Sequence, residues 1–202
     1  MRISIRATFS LLLVMAMFSA SRSIAHAQEV APADKQPRAE LALDYTYIRS
    51  NAPPGGCVCF DLNGGGATYA HSIGSGRFAL VGDVSIAHAG AISANSYDLT
   101  LSTFTAGVRY RPTFRHSPLK PFGQVLAGIA HSSGSLVSGQ NPTVSNSGGA
   151  FAAIAGGGLD LHLSHHFSVR LIEADYLVTT FDNGINDHQN NFRLNAGVVF
   201  HF

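Results

Sequence analysis

The chain has 202 residues, room for one domain behind an export signal, and only 12% of them are charged, about half the share usual in soluble domains. With no long apolar helix to account for that shortage, the surface must face something other than water. Once Arg2, Arg6 and Arg22 leave with the signal, the remaining cations are outnumbered by the acids, which gives no basic footprint for nucleic acid.

Taken in order, Arg2 and Arg6 form a basic start, an apolar run follows from Phe9 to Ala20, and Ala25-His26-Ala27 supplies a small-x-small cleavage pattern. This predicts a signal peptide over 1–27 that is cut after Ala27. The apolar run is shorter than the roughly 20 residues of a spanning helix, and no cysteine at the cut marks a lipoprotein. Residues 28–38 are polar, carry two prolines and read as a periplasmic lead-in. From 39 to 202, stretches of alternating apolar and polar residues are separated by Gly, Pro, Asn and Ser clusters, the pattern of a β-sandwich or barrel.

Eight strands are expected. The first, near 40–49, sets Leu41, Leu43, Tyr45 and Tyr47 against Ala42, Asp44 and Thr46. The second, near 64–72, has the faintest pattern. The third, near 78–88, opposes Leu80, Val84 and Ile86 to Asp83 and Ser85. The fourth, near 99–110, opposes Phe104, Ala106, Val108 and Tyr110 to Thr103, Thr105 and Arg109. The fifth, near 121–131, shows Val125, Ala127 and Ile129 on its apolar face. The sixth, near 150–163, ends with Leu159, Leu161 and Leu163 opposed to Asp160 and His162. The seventh covers about 167–178. The eighth, near 191–202, opposes Phe192, Leu194, Ala196, Val198, Phe200 and Phe202 to Arg193, Asn195 and His201.

A face apolar over whole strands suits lipid, with the polar face turned inward. Strands of about 9–11 residues match a bilayer, and lipid tolerates no unpaired strand edge. The fold class expected is therefore all-β: an eight-stranded, antiparallel, up-and-down transmembrane barrel over 39–202. The shorter or proline-marked connections 72–77, 111–120 and 164–166 read as periplasmic turns, and 50–63, 89–98, 132–149 and 179–190 as extracellular loops. Arg170 differs in parity from Glu173 and Asp175, and a β-bulge would bring all three inside.

The terminal Ala196-Gly197-Val198-Val199-Phe200-His201-Phe202, together with Lys120-Pro121-Phe122-Gly123-Gln124-Val125-Leu126-Ala127-Gly128 and Gly156-Gly157-Gly158-Leu159-Asp160-Leu161, resembles the small eight-stranded outer-membrane barrels of the outer membrane protein A-like and opacity-protein-like group. The segment Asn51 to Phe60, with Cys57 and Cys59, is similar to first loops of such proteins. The resemblance implies a location in the bacterial outer membrane. It also implies an assembly signal at Phe200 and Phe202 that the barrel-assembly machinery reads. The group includes adhesins and structural proteins. The missing Trp departs from the usual aromatic girdle, where Tyr and Phe can substitute.

Candidate chemistry is sparse. His131 and Ser133 share one strand face and resemble part of a lipid A deacylase site, but Asp160 falls near the opposite strand end, so no catalytic residue is assigned. His165 and His166 are adjacent in a tight turn near His162, without the ligand set a metal needs, so no metal or cofactor is assigned. Cys57 and Cys59 read as a local disulfide pinning the first loop, with free or intermolecular thiols as the alternative. Asp44, Asp83, Arg109, Asp160, Arg170, Glu173, Asp175 and Arg193 share the inner face. They read as an ion-pair network plugging the lumen, because eight strands leave an interior only wide enough for side chains.

The expected function is a non-enzymatic structural or surface-interaction barrel acting through its extracellular loops. Its partners would be outer-membrane lipid, the assembly machinery and an extracellular ligand or surface partner. No nucleic acid is expected, and the barrel is expected to be a monomer. The alternative is a small channel or a lipid A-modifying enzyme.

Overall fold

In the computed structural model, which describes residues 38–51, 59–92, 96–112, 117–135, 146–181 and 187–202, the period-two alternation becomes strands throughout. They are β1 (Ala39–Asn51), β2 (Cys59–Ile73), β3 (Phe78–Ile92), β4 (Tyr97–Tyr110), β5 (Leu119–Gly134), β6 (Asn146–Ser164), β7 (Phe167–Thr179) and β8 (Gln189–His201). Each pairs antiparallel with its sequence neighbours, and β8 closes on β1 through a register running from Glu40↔His201 to Ser50↔Asn191. Closure leaves no strand edge unpaired, as a bilayer requires. The expected signal peptide and all of the lead-in except Arg38 lie outside the described residues.

Adjacent residues of one strand have opposite environments. Val125 is 67% exposed and Leu126 1%, because successive side chains point to opposite faces. The outward rows carry Leu43, Tyr69, Leu80, Val84, Ile86, Phe104, Val108, Ile129 and Phe151, a lipid-facing belt for an outer-membrane barrel. Without Trp, its borders are built from Phe and Tyr. Phe78 lies 5.2 Å from Tyr110, and Phe167 lies 5.8 Å from Phe200, all at one end. At that end the connections are 74–77, 111–118 and 165–166. The other end carries 52–58, 93–96, 135–145 and 180–188. The first is called the turn end below and the second the loop end.

β7 holds the expected irregularity. Arg170 pairs with Gly197 and Glu173 with Asn195, so Leu171 and Ile172 oppose one residue of β8. Both of these turn outward, and Arg170, Glu173 and Asp175 are all buried. The bulge adds one residue to β7 and restores the alternation after it.

Two expectations need correction. The strands extend further toward the loop end than the sequence pattern suggests, and β2 begins at Cys59 rather than near 64. Gly64-Gly65-Gly66 hides this strand because glycine carries neither side-chain alternation nor β-propensity. The gap has a packing reason, since a Cβ on Gly64 would fall on the carbonyl oxygen of Ile86 in β3. The interior, expected to be the polar face, also holds large apolar side chains: Ile48, Leu62, Leu101, Leu126, Ile154 and Leu177 all point inward and are buried. A lumen packed too tightly for water rewards apolar filling as a soluble core does.

Candidate functional site: the barrel lumen

The lumen is layered along its axis. Toward the turn end, the inward positions of all eight strands converge on a lattice of ion pairs and their neutral hydrogen-bond partners. From β8, Arg193 donates through Nε and Nη2 to Asp175 Oδ2 at 3.0 and 2.7 Å, and through Nη1 to Asp83 Oδ1 at 2.8 Å. From β7, Arg170 reaches Asp160 Oδ1 at 3.0 Å, Asp44 Oδ2 at 3.2 Å and Glu173 Oε2 at 2.9 Å. Arg109 from β4 donates twice to Gln124 Oε1, at 3.1 and 2.7 Å, and lies 3.8 Å from Glu173. All three guanidinium groups are fully buried. The planar fork of Arg lets one side chain serve two carboxylates at once. Neutral donors serve the same acids: Thr68 to Asp83, Asn195 to Glu173 and Gln124 to Asp175. Phe122 lies inside the lattice with the guanidinium carbons of Arg109 and Arg170 4.2 and 4.9 Å from its ring centroid.

The structure thus brings together Asp44, Asp83, Arg109, Asp160, Arg170, Glu173, Asp175 and Arg193. It adds two members that the sequence reading missed. Glu40 and Arg111 pair with each other, and Arg111 also donates to Asp160 at 3.1 Å. Parity with Asp44 and with Arg109 was the available signal, but both residues stand at strand ends, where alternation usually lapses.

Beyond the lattice comes a hydroxyl layer, in which Ser85 and Thr103 are 2.7 Å apart. An apolar layer then fills the lumen toward the loop end: Ile48, Phe60, Leu62, Leu101, Leu126, Ile154 and Leu177, with Tyr97, Leu99 and Phe181 packed against it. Over it, Ser50 donates to Asn191 at 2.7 Å, and Gln189 donates to the Phe181 carbonyl at 2.6 Å.

At the turn end, four strands contribute a second polar cluster. Ser168 Oγ lies 2.7 Å from His201 Nε2 and 3.2 Å from His162 Nδ1, and His201 Nδ1 is 3.6 Å from Glu40 Oε1. The order is that of a nucleophile, base and acid. However, Ser168 is 1% exposed and lies between two imidazoles, so an acyl donor could reach it only by displacing them. These contacts tie β1, β6, β7 and β8 together where the barrel closes.

The remaining candidates lie apart. His131 and Ser133 face outward near the loop end of β5, opposite Ser102 and Thr100, whereas Asp160 pairs with Lys120 at the other end. Asp98, at the loop end of β4, accepts from the Ser135 backbone at 3.1 Å. His165 and His166 occupy the exposed β6–β7 turn with ring centroids 6.5 Å apart. Among the described residues no group of three His, Cys, Asp or Glu side chains is placed to hold a metal ion. Cys59 opens β2, but Cys57 lies outside the described residues, and so does the expected disulfide. On the outer rim, Arg49 and Tyr47 both donate to Asp61 at 2.8 Å, and Tyr45 donates to Asn63 at 2.5 Å.

The folded chain is similar to solved barrels of low sequence identity, which show the fold alone. Neisserial surface protein A is 15% identical, with a TM-score of 0.62 over 81% of this chain and 97% of that one. The outer membrane protein OprG from Pseudomonas aeruginosa is 11% identical, with a TM-score of 0.52 over 83% and 97% of the two chains. Ail, the attachment invasion locus protein of Yersinia pestis, solved in complex with the heparin analogue sucrose octasulfate, is 20% identical, with a TM-score of 0.49 over 81% and 99%. No curated protein matches the sequence. The family model described as the outer membrane protein beta-barrel domain matches residues 10–200, nearly the whole chain. The chain belongs to the outer membrane protein β-barrel domain family.

Proposed function

We propose that this protein is a plugged, non-enzymatic outer-membrane barrel that works through its extracellular loops, in a structural or surface-interaction role. The observation that carries the reading is the filling of the lumen. The ion-pair lattice and the apolar layer stand in series, and Arg109, Arg170 and Arg193 are all but fully buried. A conducting pore would need water beside these groups. A catalytic site would need a reachable nucleophile, and Ser168 lies behind two imidazoles. With lumen and lipid face both committed to packing, the part left to vary is the loop end, including 52–58, 136–145 and 182–186.

The test is reconstitution in planar bilayers containing lipid A. The reading expects no steady conductance and unaltered lipid A by mass spectrometry. Long-lived channel openings, or shortened acyl chains, would overturn it in favour of a small channel or a lipid-modifying enzyme. On whole cells, replacing 136–145 and 182–186 with Gly-Ser turns should leave a folded barrel while abolishing any surface binding the wild type shows.

A further inference from the structure

The barrel closes on itself at the turn end around one imidazole. His201, the last residue of β8, stands directly opposite Glu40 at the start of β1. Its side chain is buried between two oxygens. Nε2 lies 2.7 Å from Ser168 Oγ of β7, and Nδ1 lies 3.6 Å from Glu40 Oε1. The second distance is too long for a hydrogen bond. It leaves His201 Nδ1 and Glu40 Oε2 as buried polar atoms without a hydrogen-bond partner, on facing residues of the strand pair that completes the barrel.

Charged and titratable groups reach this ring from the neighbouring elements. Arg111, just after β4, pairs with Glu40 and with Asp160 of β6, and Arg109 Nη1 lies 4.0 Å from Glu40 Oε2. Lys120 of β5 stands opposite Asp160. His162 of β6 meets the His201 ring edge-on, with centroids 5.7 Å apart, and turns its Nδ1 to Ser168 Oγ at 3.2 Å. The His201 backbone N–H donates to the His166 carbonyl, and the Phe202 carbonyl accepts from the backbone N–H groups of Arg38 and Ala39. A neutral imidazole has one N–H and can donate toward Ser168 or toward Glu40. An imidazolium has two and can serve both oxygens at once, with its charge facing a carboxylate. His162 is exposed, so water screens its charge from this buried pair far more than it screens Glu40.

We propose that His201 and Glu40 form a proton-operated latch on the closing seam: proton uptake by His201 draws its ring onto Glu40 and ties the end of β8 to the start of β1. Ser168 holds the other edge of the ring and so fixes which nitrogen faces Glu40. The added proton supplies the second N–H, and no bond between heavy atoms is made or broken. Because the charged ring makes both contacts, the latch is made in acid. It is released as the pH rises through the ordinary imidazole range, about pH 6.5. The inference rests on the closed barrel and is independent of what the loops bind.

The test is amide hydrogen exchange of the refolded barrel in nanodiscs at about pH 5.5 and about pH 8, on either side of the imidazole range, with intrinsic exchange rates divided out. Protection of the turn-end amides of β1 and β8, from Ala39 to Leu41 and from Val199 to His201, should be greater in acid by about tenfold, the weight of one charge-assisted hydrogen bond. At the same end, β3 and β4 meet through the rings of Phe78 and Tyr110 and should show no such gain. His201→Gln should hold the seam at its high-pH protection throughout, whereas His162→Gln should keep the wild-type response. Ring nitrogen chemical shifts of the wild type need no variant: both nitrogens of His201 should be protonated in acid and one at high pH. Seam protection that ignores pH, an undiminished response in folded His201→Gln, or a His201 ring still neutral in acid would overturn the proposal. So would an equal gain between β3 and β4, which would assign the response to the barrel as a whole.

Discussion

Replacing Arg193 with methionine removes the cation that holds Asp83 and Asp175 together across the lumen. Three hydrogen bonds of 2.7 to 3.0 Å disappear, and two buried carboxylates lose their shared partner. Removing one member of a buried ion pair costs about 3–5 kcal/mol, a large part of an ordinary stability of about 5–15 kcal/mol. With a urea slope of about 1–3 kcal/mol/M, the midpoint should fall by about 1 M or more. Arg193→Lys keeps the charge but cannot serve both acids with one fork. It should fall between wild type and Arg193→Met, having lost bonds worth about 1.5–3 kcal/mol each. Adding Asp83→Asn and Asp175→Asn to Arg193→Met should recover part of the loss, because the stranded charges are then gone. The chain has no Trp, so unfolding in lipid vesicles is followed by circular dichroism and by heat-modifiable gel migration. An Arg193→Met midpoint at or above wild type would refute the view that the lattice is a stabilising, water-excluding plug.

Phe202→Ser should lower barrel assembly in cells while refolding in detergent is little changed; equal loss in both settings would mean general destabilisation rather than a weakened assembly signal. Val198, facing outward in β8 opposite Leu43, should tolerate Phe but not Arg, whose cost near the bilayer midplane is about 2–4 kcal/mol; the check is folded yield in vesicles, and equal yields would place that face away from lipid. Gly64→Ala sets a Cβ on the Ile86 carbonyl oxygen and should weaken β2–β3 pairing, seen as faster amide exchange in those two strands, whereas Gly82→Ala, with open space around it, should be silent.

The amino-acid pattern and the structure agree most closely where side chains alternate cleanly. β8 reads as a lipid-facing strand residue by residue, and the parity break between Arg170 and Glu173 is enough to require the β7 bulge. β2 is faint because its middle is three glycines, of which Gly64 lies too close to the β3 backbone to carry a side chain. Parity assigns Asp83 and Arg193 to one face, but their contact spans 110 positions of sequence and appears only on closure. The cluster of Glu40, Ser168 and His201 is hidden for the same reason. The apolar layer was missed on different grounds. Inward Leu62, Leu126 and Leu177 look like lapses in a polar face until the narrowness of the lumen makes them core residues.

The assignment of faces underlies the plug, the belt and the rim alike, and two conservative substitutions test it directly. Phe104 in β4 points outward and is 49% exposed, whereas Phe122 in the adjacent β5 points inward and is 5% exposed. Phe104→Trp and Phe122→Trp each place a single Trp in a chain that has none. In vesicles made with bromine-labelled acyl chains, the Phe104→Trp emission should be strongly quenched and the Phe122→Trp emission protected among its guanidinium neighbours. Equal quenching of both, or stronger quenching of Phe122→Trp, would contradict the account.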